Sequence, residues 1–109
     1  HPALPGSPGH AHWRALCTRA AGLFSVVFDE RIPHERVIAF VDALRLFKLG
    51  YSWAGPVSLA VPYDLSTMRS TPAWKGLLVR FSIGLEGVDD LIADCAQALQ
   101  AAGLASGLA

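Results

Sequence analysis

The sequence is short of charge. Only 17% of its 109 residues are Asp, Glu, Lys or Arg, against roughly 25% in an ordinary soluble domain. The nine basic residues cancel the nine acidic ones. A neutral balance with no run of one sign removes the attraction that a nucleic acid or an anionic membrane surface would exert, so neither is expected as a partner. Cysteine is equally scarce. Cys17 and Cys95 are far apart and form no metal-type pair, which points to reduced, packed thiols in a cytoplasmic protein. A disulfide between them stays open, since a sequence gives no distance. No apolar run approaches the length of a membrane span, and no basic segment followed by an apolar one opens the chain. Methionine occurs once, at Met68, and the first residue is His1. The expectation is a piece of a longer chain.

What is present is apolar. Hydrophobic residues make up 52% of a chain with room for one domain and one modest core. So high a content with so little charge suggests a surface that something else covers. Residues 1–9 contain Pro2, Pro5, Pro8, Gly6 and Gly9, which deny the stretch regular hydrogen bonding and mark a linker or loop. A short helix from His10 to Cys17 and a strand from Leu23 to Phe28 follow. Pro33 suits the first position of a helix predicted to run to Leu49, with Gly50 as its terminator. Val37, Phe40, Val41, Leu44 and Phe47 form its apolar face. Ser58 to Val61 is a predicted strand that Pro62 should stop, and Asp64 to Gly76 is irregular. Leu77 to Ile83 is the clearest strand. Gly87 leads into a last helix, Val88 to Ala102, with Val88, Leu91, Ile92, Cys95 and Leu99 as its buried stripe and Asp89 and Asp90 at the positive end of its dipole. Residues 104–109 should fray. Strands interleaved with amphipathic helices, too short for a doubly wound sheet, indicate an α+β domain: a small, mostly antiparallel sheet with helices packed on one face.

In the clearest strand the period-two rule sends Leu77, Val79, Phe81 and Ile83 to one face and Leu78, Arg80 and Ser82 to the other. Arg80 thus points away from the helix-packed core. A guanidinium in so apolar a strand must reach water, a carboxylate or an anionic ligand, because unpaired burial costs several kcal/mol. Residue types alone leave both an ordinary solvated arginine and a ligand-binding one open. Other constellations are weak. His10 and His12 diverge on a helix and no further ligands complete a set with Cys17, so no metal site is expected. Gly84 and Gly87 lack the glycine run of a phosphate loop, and no serine-hydrolase elbow occurs.

The segment Val79-Arg80-Phe81-Ser82-Ile83-Gly84-Leu85-Glu86, followed by Val88-Asp89-Asp90-Leu91-Ile92-Ala93-Asp94, resembles the C-terminal part of the Cys/Met-metabolism enzymes dependent on pyridoxal phosphate (PLP), of fold type I. Leu46-Phe47-Lys48-Leu49-Gly50-Tyr51-Ser52-Trp53-Ala54-Gly55 resembles the glycine-bounded Tyr-Ser-Trp stretch of the branch acting on cystathionine, the β-lyases. His1-Pro2-Ala3-Leu4-Pro5, Pro8-Gly9-His10 and Gly22-Leu23-Phe24-Ser25 resemble the family's preceding elements, in the same order. The chain departs from the β-lyase pattern at Ala54, where a glycine is usual, at Pro56-Val57, where an aromatic-glutamate pair is usual, and at Ser82, where histidine is usual. The Arg-x-Ser-x-Gly form at Arg80 to Gly84 also resembles the γ-synthase and γ-lyase branches.

The resemblance implies that residues 1–109 are the C-terminal small domain of a larger enzyme, with Arg80 holding the substrate α-carboxylate and Ser52 and Trp53 lining the same pocket. It implies a homotetrameric enzyme converting cystathionine to homocysteine, pyruvate and ammonia. The cofactor-bearing lysine, the aspartate at the pyridinium nitrogen and the phosphate cup would belong to a PLP-binding domain preceding His1. Lys48 and Lys75 match neither the position nor the motif of that lysine, so this chain alone is expected to bind no PLP and to be inactive. The face bearing Leu78 and Arg80 is expected to be covered by that domain. A γ-lyase, γ-synthase or cysteine desulfhydrase is the alternative within the family, and a non-catalytic α+β binding or dimerisation module the alternative outside it.

Overall fold

Leu77 to Ile83, with its strict alternation, forms an inner strand, β4 (Leu78–Ser82), of a four-stranded sheet whose strands run in the order Leu23–Val27, Leu78–Ser82, Leu59–Tyr63, Lys48–Leu49. The computed structural model describes residues 1–104. Helix α1 (His10–Leu16) is followed by β1 (Leu23–Val27), α2 (His34–Ala43), β2 (Lys48–Leu49), β3 (Leu59–Tyr63), β4 and α3 (Val88–Ala101). Strand β4 runs antiparallel to both β1 and β3, with Arg80 opposite Ser25 on one side and Val61 on the other. The short β2 lies parallel to β3, so the sheet is mixed, a detail that the expectation of a mostly antiparallel sheet did not contain.

Val79 and Phe81 of β4 face the helices. Phe81 stacks on Phe24 of β1 at 5.5 Å between ring centroids and meets the edge of Phe47 at the same separation. Val37, Phe40 and Val41 of α2 and Leu91 and Ala98 of α3 complete the buried cluster. Each such side chain removed from water contributes roughly 1.5–3 kcal/mol if large. Val61 is as buried as Val79 but stands outside this cluster, which marks a second covered patch on the Arg80 side of the sheet.

Three expectations about the elements require correction. Helix α2 ends at Ala43 rather than Leu49. Leu44 turns to an extended backbone with ψ of 137°, and the amides of Arg45, Leu46 and Phe47 donate to the carboxylate of Asp94 on α3, at 2.9, 2.7 and 3.2 Å. The side-chain amide of Gln97 donates to the Ala43 carbonyl at 2.7 Å. Acceptors and donors from a distant helix thus replace the bonds of a further helical turn, and Phe47 enters the core from the approach to β2. Strand β3, secondly, passes through Pro62. Its partner β2 pairs only with Leu59 and Ala60, so Pro62 lies beyond β2 at a free edge where its missing N–H costs no ladder bond. Thirdly, the expected stripe of α3 is buried only in part: Leu91, Cys95 and Leu99 pack on the core, but Val88 and Ile92 do not. Val88 and Ile92 are 68% and 62% exposed, whereas Leu91, Asp94 and Ala98 are buried: the three amides that Asp94 serves draw that carboxylate inward. Burial pushes its carboxyl group up, but the bonds from Arg45, Leu46, Gln97 and Phe47 together outweigh this and hold it below the ordinary value.

Both thiols are free, and Cys17 is exposed rather than packed. Burial raises Cys95, helped by the neighbouring Asp94 charge. The end of α3 is a left-handed turn at Gly103, with φ of 72°, closed by a bond from the Leu104 amide to the Leu99 carbonyl at 2.8 Å. Leu104 is therefore tied down, and the remainder of the expected frayed tail, residues 105–109, lies outside the described residues. Among the described residues no helix is long and apolar enough to cross a membrane.

The larger apolar opening lies on the core side of the sheet, not on the Arg80 face. A groove of about 770 Å³ runs between the outer stripe of α3 and the sheet, lined by residues such as Phe24, Phe81, Ile83, Val88 and Ile92. Exposed apolar surface gathered in one groove favours association with another apolar surface. Expressed alone, the 109-residue domain is expected to enhance the fluorescence of a hydrophobic dye and to self-associate, with Ile92→Glu weakening both. A monodisperse monomer silent to the dye would contradict it.

Candidate functional site

The middle of β4 carries Arg80 onto the face opposite the core, and the segment from Tyr51 to Val57 arches beside it. One guanidinium nitrogen, Nη2, donates to the carbonyl oxygens of Tyr51 at 2.6 Å and Ser52 at 3.3 Å. The guanidinium carbon lies 5.5 Å from the ring centroid of Trp53 and 5.8 Å from that of Tyr63. Tyr51 and Tyr63 in turn meet edge to face at 6.2 Å. Aromatic faces attract a cation, and together with the two carbonyl acceptors they orient the planar fork. Among the described residues the carboxylates that meet a basic side chain are Asp29, paired with Arg31, and Asp64, 3.7 Å from His34. Arg80 therefore has no carboxylate partner there, and among the described residues its Nε and Nη1 donors have no acceptor.

The arch is fastened to the sheet at several points. The Ala54 amide donates to the hydroxyl of Ser82 at 3.1 Å, and Ala54 itself has φ of 61°, the left-handed region that a residue with a Cβ resists. The Leu85 amide donates to the Pro56 carbonyl at 2.8 Å. Glu86 accepts from the Ser58 amide at 2.9 Å and the Ser58 hydroxyl at 2.7 Å, and that hydroxyl accepts from the Gly84 amide at 2.8 Å. The Ser58 backbone and hydroxyl bonds lower the Glu86 carboxyl group. Gly84 is required by close approach. A Cβ there would stand 2.3 Å from the Pro56 oxygen and 2.7 Å from the Ser58 nitrogen. Gly84→Ala is accordingly expected to destabilise the domain by about 1–3 kcal/mol through overpacking against backbone, read as a lower denaturant midpoint.

All three residues singled out in the sequence meet here. Arg80 provides a cation with free donors, Ser52 contributes its carbonyl oxygen and Trp53 its ring face. Tyr51, Tyr63, Ser58, Ser82 and Glu86 were not singled out. The period-two pattern already put Ser82 on the face of Arg80, but nothing in the sequence joined Tyr63, Ser58 or Glu86 to it. The arrangement has the elements that binding a carboxylate calls for: a planar donor fork, aromatic neighbours and, among the described residues, no competing anion.

The other candidates have local roles. Nδ1 of His10 is 2.9 Å from the Pro2 carbonyl oxygen, and its ring stacks on Trp13. Lys48 Nζ donates to the Arg45 carbonyl at 2.8 Å, and Lys75 lines a separate surface hollow with Asp29, Arg31 and Trp74. Neither lysine is among the residues gathered round Arg80, so among the described residues none is placed there to carry PLP.

A family model described as Cys/Met metabolism PLP-dependent enzyme matches residues 1–100. The cystathionine β-lyase of Salmonella typhimurium is 45% identical over 101 residues, covering 88% of this chain and 26% of its own length. That of Escherichia coli K12 is 42% identical over 99 residues, covering 86% and 25%. Among solved structures, the apo form of a methionine γ-lyase from Micromonospora echinospora superposes with a TM-score of 0.70 at 34% identity, covering 91% of this chain and 26% of that one. The chain spans about a quarter of the length of the curated relatives it matches.

Proposed function

Because this chain belongs to the Cys/Met metabolism PLP-dependent enzymes, we propose that it forms the substrate-carboxylate wall of a carbon–sulfur lyase acting on cystathionine. The observation that carries this reading is Arg80: a guanidinium oriented by the Tyr51 and Ser52 carbonyls, flanked by aromatic rings, with donors to spare. The free edge of the fork takes the α-carboxylate of the amino-acid substrate in two parallel charge-assisted hydrogen bonds. Trp53 and Tyr63 keep water from that pair and strengthen it by lowering the local dielectric. Fixing the carboxylate fixes the rotation about the bond to Cα, so that the Cα–H bond and then the Cβ–S bond are presented in turn for cleavage. Bound in the complete enzyme, PLP supplies the electron sink that makes the α-proton removable.

The products of this reaction are homocysteine, pyruvate and ammonia, with one water consumed. The PLP-binding domain that carries the lysine is the partner of this chain, the complete enzyme is a cytoplasmic homotetramer, and the domain alone is inactive. Ser82 and the Arg-x-Ser-x-Gly form favour a second reading within the family, a γ-lyase or γ-synthase, and the likeness to a methionine γ-lyase supports it.

The test is the visible absorption of the complete gene product before and after adding cystathionine, with product analysis. A cofactor band that changes on addition, with pyruvate and homocysteine formed, is the expected result. Cysteine and 2-oxobutyrate would move the assignment to the γ-lyase. A protein with no band even after PLP is added would be a non-catalytic binding module.

A further inference from the structure

Arg80 is oriented by two backbone carbonyls, and carbonyls hold a direction only if the segment bearing them does. Residues 51–57 are all exposed, so burial does not fix them. Their exit is fastened through Pro56 and Ser58 to the turn after β4. The part that faces the guanidinium has a different tie, the bond from the Ala54 amide to Ser82 Oγ. Ala54 immediately follows the Tyr51-Ser52-Trp53 segment and sits at φ of 61°, a conformation that alanine leaves readily unless held. Ser82 is 2% exposed, on the rigid inner strand, two residues from Arg80 and on the same face. A buried hydroxyl on the strand that carries the arginine thus holds the strained residue that sets where the arginine's two carbonyl acceptors lie.

We propose that Ser82 is a positioning residue for Arg80, acting through the Ala54 amide to aim the Tyr51 and Ser52 carbonyls at the guanidinium. This rests on the reading of Arg80 as the carboxylate anchor. Ser82 touches neither substrate nor cofactor in this role. Its loss lets the arch relax and the fork swing, which weakens capture of the carboxylate more than the steps that follow.

The experiment is a double-mutant cycle in the complete enzyme. Ser82→Ala is expected to raise KM about tenfold, the worth of one hydrogen bond, while kcat changes by less than about threefold. In an Arg80→Leu background the same substitution is expected to change KM by less than about twofold, because the residue it acts through is gone. Ser82→Cys, which fills the site with a slightly larger group that accepts hydrogen bonds weakly, covers the case in which the alanine variant does not fold, and the same rise is expected. Adding Ala54→Gly to Ser82→Ala removes the conformational strain and is expected to recover at least threefold of the lost KM. An unchanged KM on Ser82→Ala, an equal rise in both backgrounds, or no recovery with Ala54→Gly would overturn the proposal. If Arg80→Leu itself leaves KM and kcat unchanged, the carboxylate reading falls and takes this one with it. That result is separate from a failure of Ser82 alone.

Discussion

Replacing Arg80 by leucine in the complete enzyme is expected to lower kcat/KM by about 2–5 kcal/mol, roughly thirtyfold to several thousandfold. The size follows from what the substitution strands. The substrate carboxylate would enter a pocket walled by Trp53 and Tyr63 with no donor fork to receive it, losing both its hydrogen bonds and its counter-charge. Arg80→Lys is expected to recover only a small part, since an ammonium is a point charge that cannot match two carboxylate oxygens at once while also serving the Tyr51 and Ser52 carbonyls. Steady-state kinetics on both variants check this. An unchanged kcat/KM in Arg80→Leu would remove the residue from the role, whatever the substrate.

Asp94→Ala is expected to destabilise the domain by about 3 kcal/mol, acting on the helix-packed side of the sheet and not on the Arg80 face. One carboxylate that is 5% exposed accepts from the amides of Arg45, Leu46 and Phe47 and from Gln97. Stranded buried donors cost about 1–3 kcal/mol each, but Arg45 and Leu46 are exposed enough to find water, which keeps the sum near the single worst case plus a partial second. A lower urea midpoint with unchanged slope is the expected measurement. Asp94→Asn, which keeps one carbonyl acceptor, should lose less. The pH dependence has a definite sign. Since the folded-state carboxyl group is held below its ordinary value, its contribution is complete above the usual carboxylate range and is lost as pH falls through the lowered folded value. The midpoint difference between wild type and Asp94→Ala should therefore shrink on acidification. A difference that stays constant down to the acid limit would mean that the charge of Asp94 plays no part.

The elements with a clean period were legible in the residues. Leu77 to Ile83 alternates strictly, and it became an inner strand with Arg80 facing away from the core. Gly103 after α3 terminated the helix as a left-handed glycine should. The errors arose where a partner distant in sequence intervened. The stretch from Leu44 to Leu49 has helical spacing of its apolar residues, yet Asp94 and Gln97 on a helix some fifty positions later claim the backbone groups that a helix would use. The same interaction draws Asp94 inward and leaves Val88 and Ile92 exposed, while Leu91, Cys95 and Leu99 of the expected stripe stay against the core. Pro62 was a sound stop signal for a strand flanked on both sides, and it failed because β2 is too short to flank it.

The candidate site divides in the same way. Arg80, Ser52 and Trp53 were legible because they stand in contiguous motifs and because a lone cation in an apolar strand needs a counterpart. The sequence by itself determined the family, the strand that presents the arginine and the face on which it stands, since these depend on residue order and on the period-two geometry of an extended chain. Only the tertiary structure decided that backbone carbonyls of Tyr51 and Ser52 hold the guanidinium, that Tyr63 joins Trp53 against it, and that Ser58, Ser82 and Glu86 fasten the arch. Main-chain acceptors look the same in every sequence, and which of them meets a given donor is settled by how the chain closes on itself.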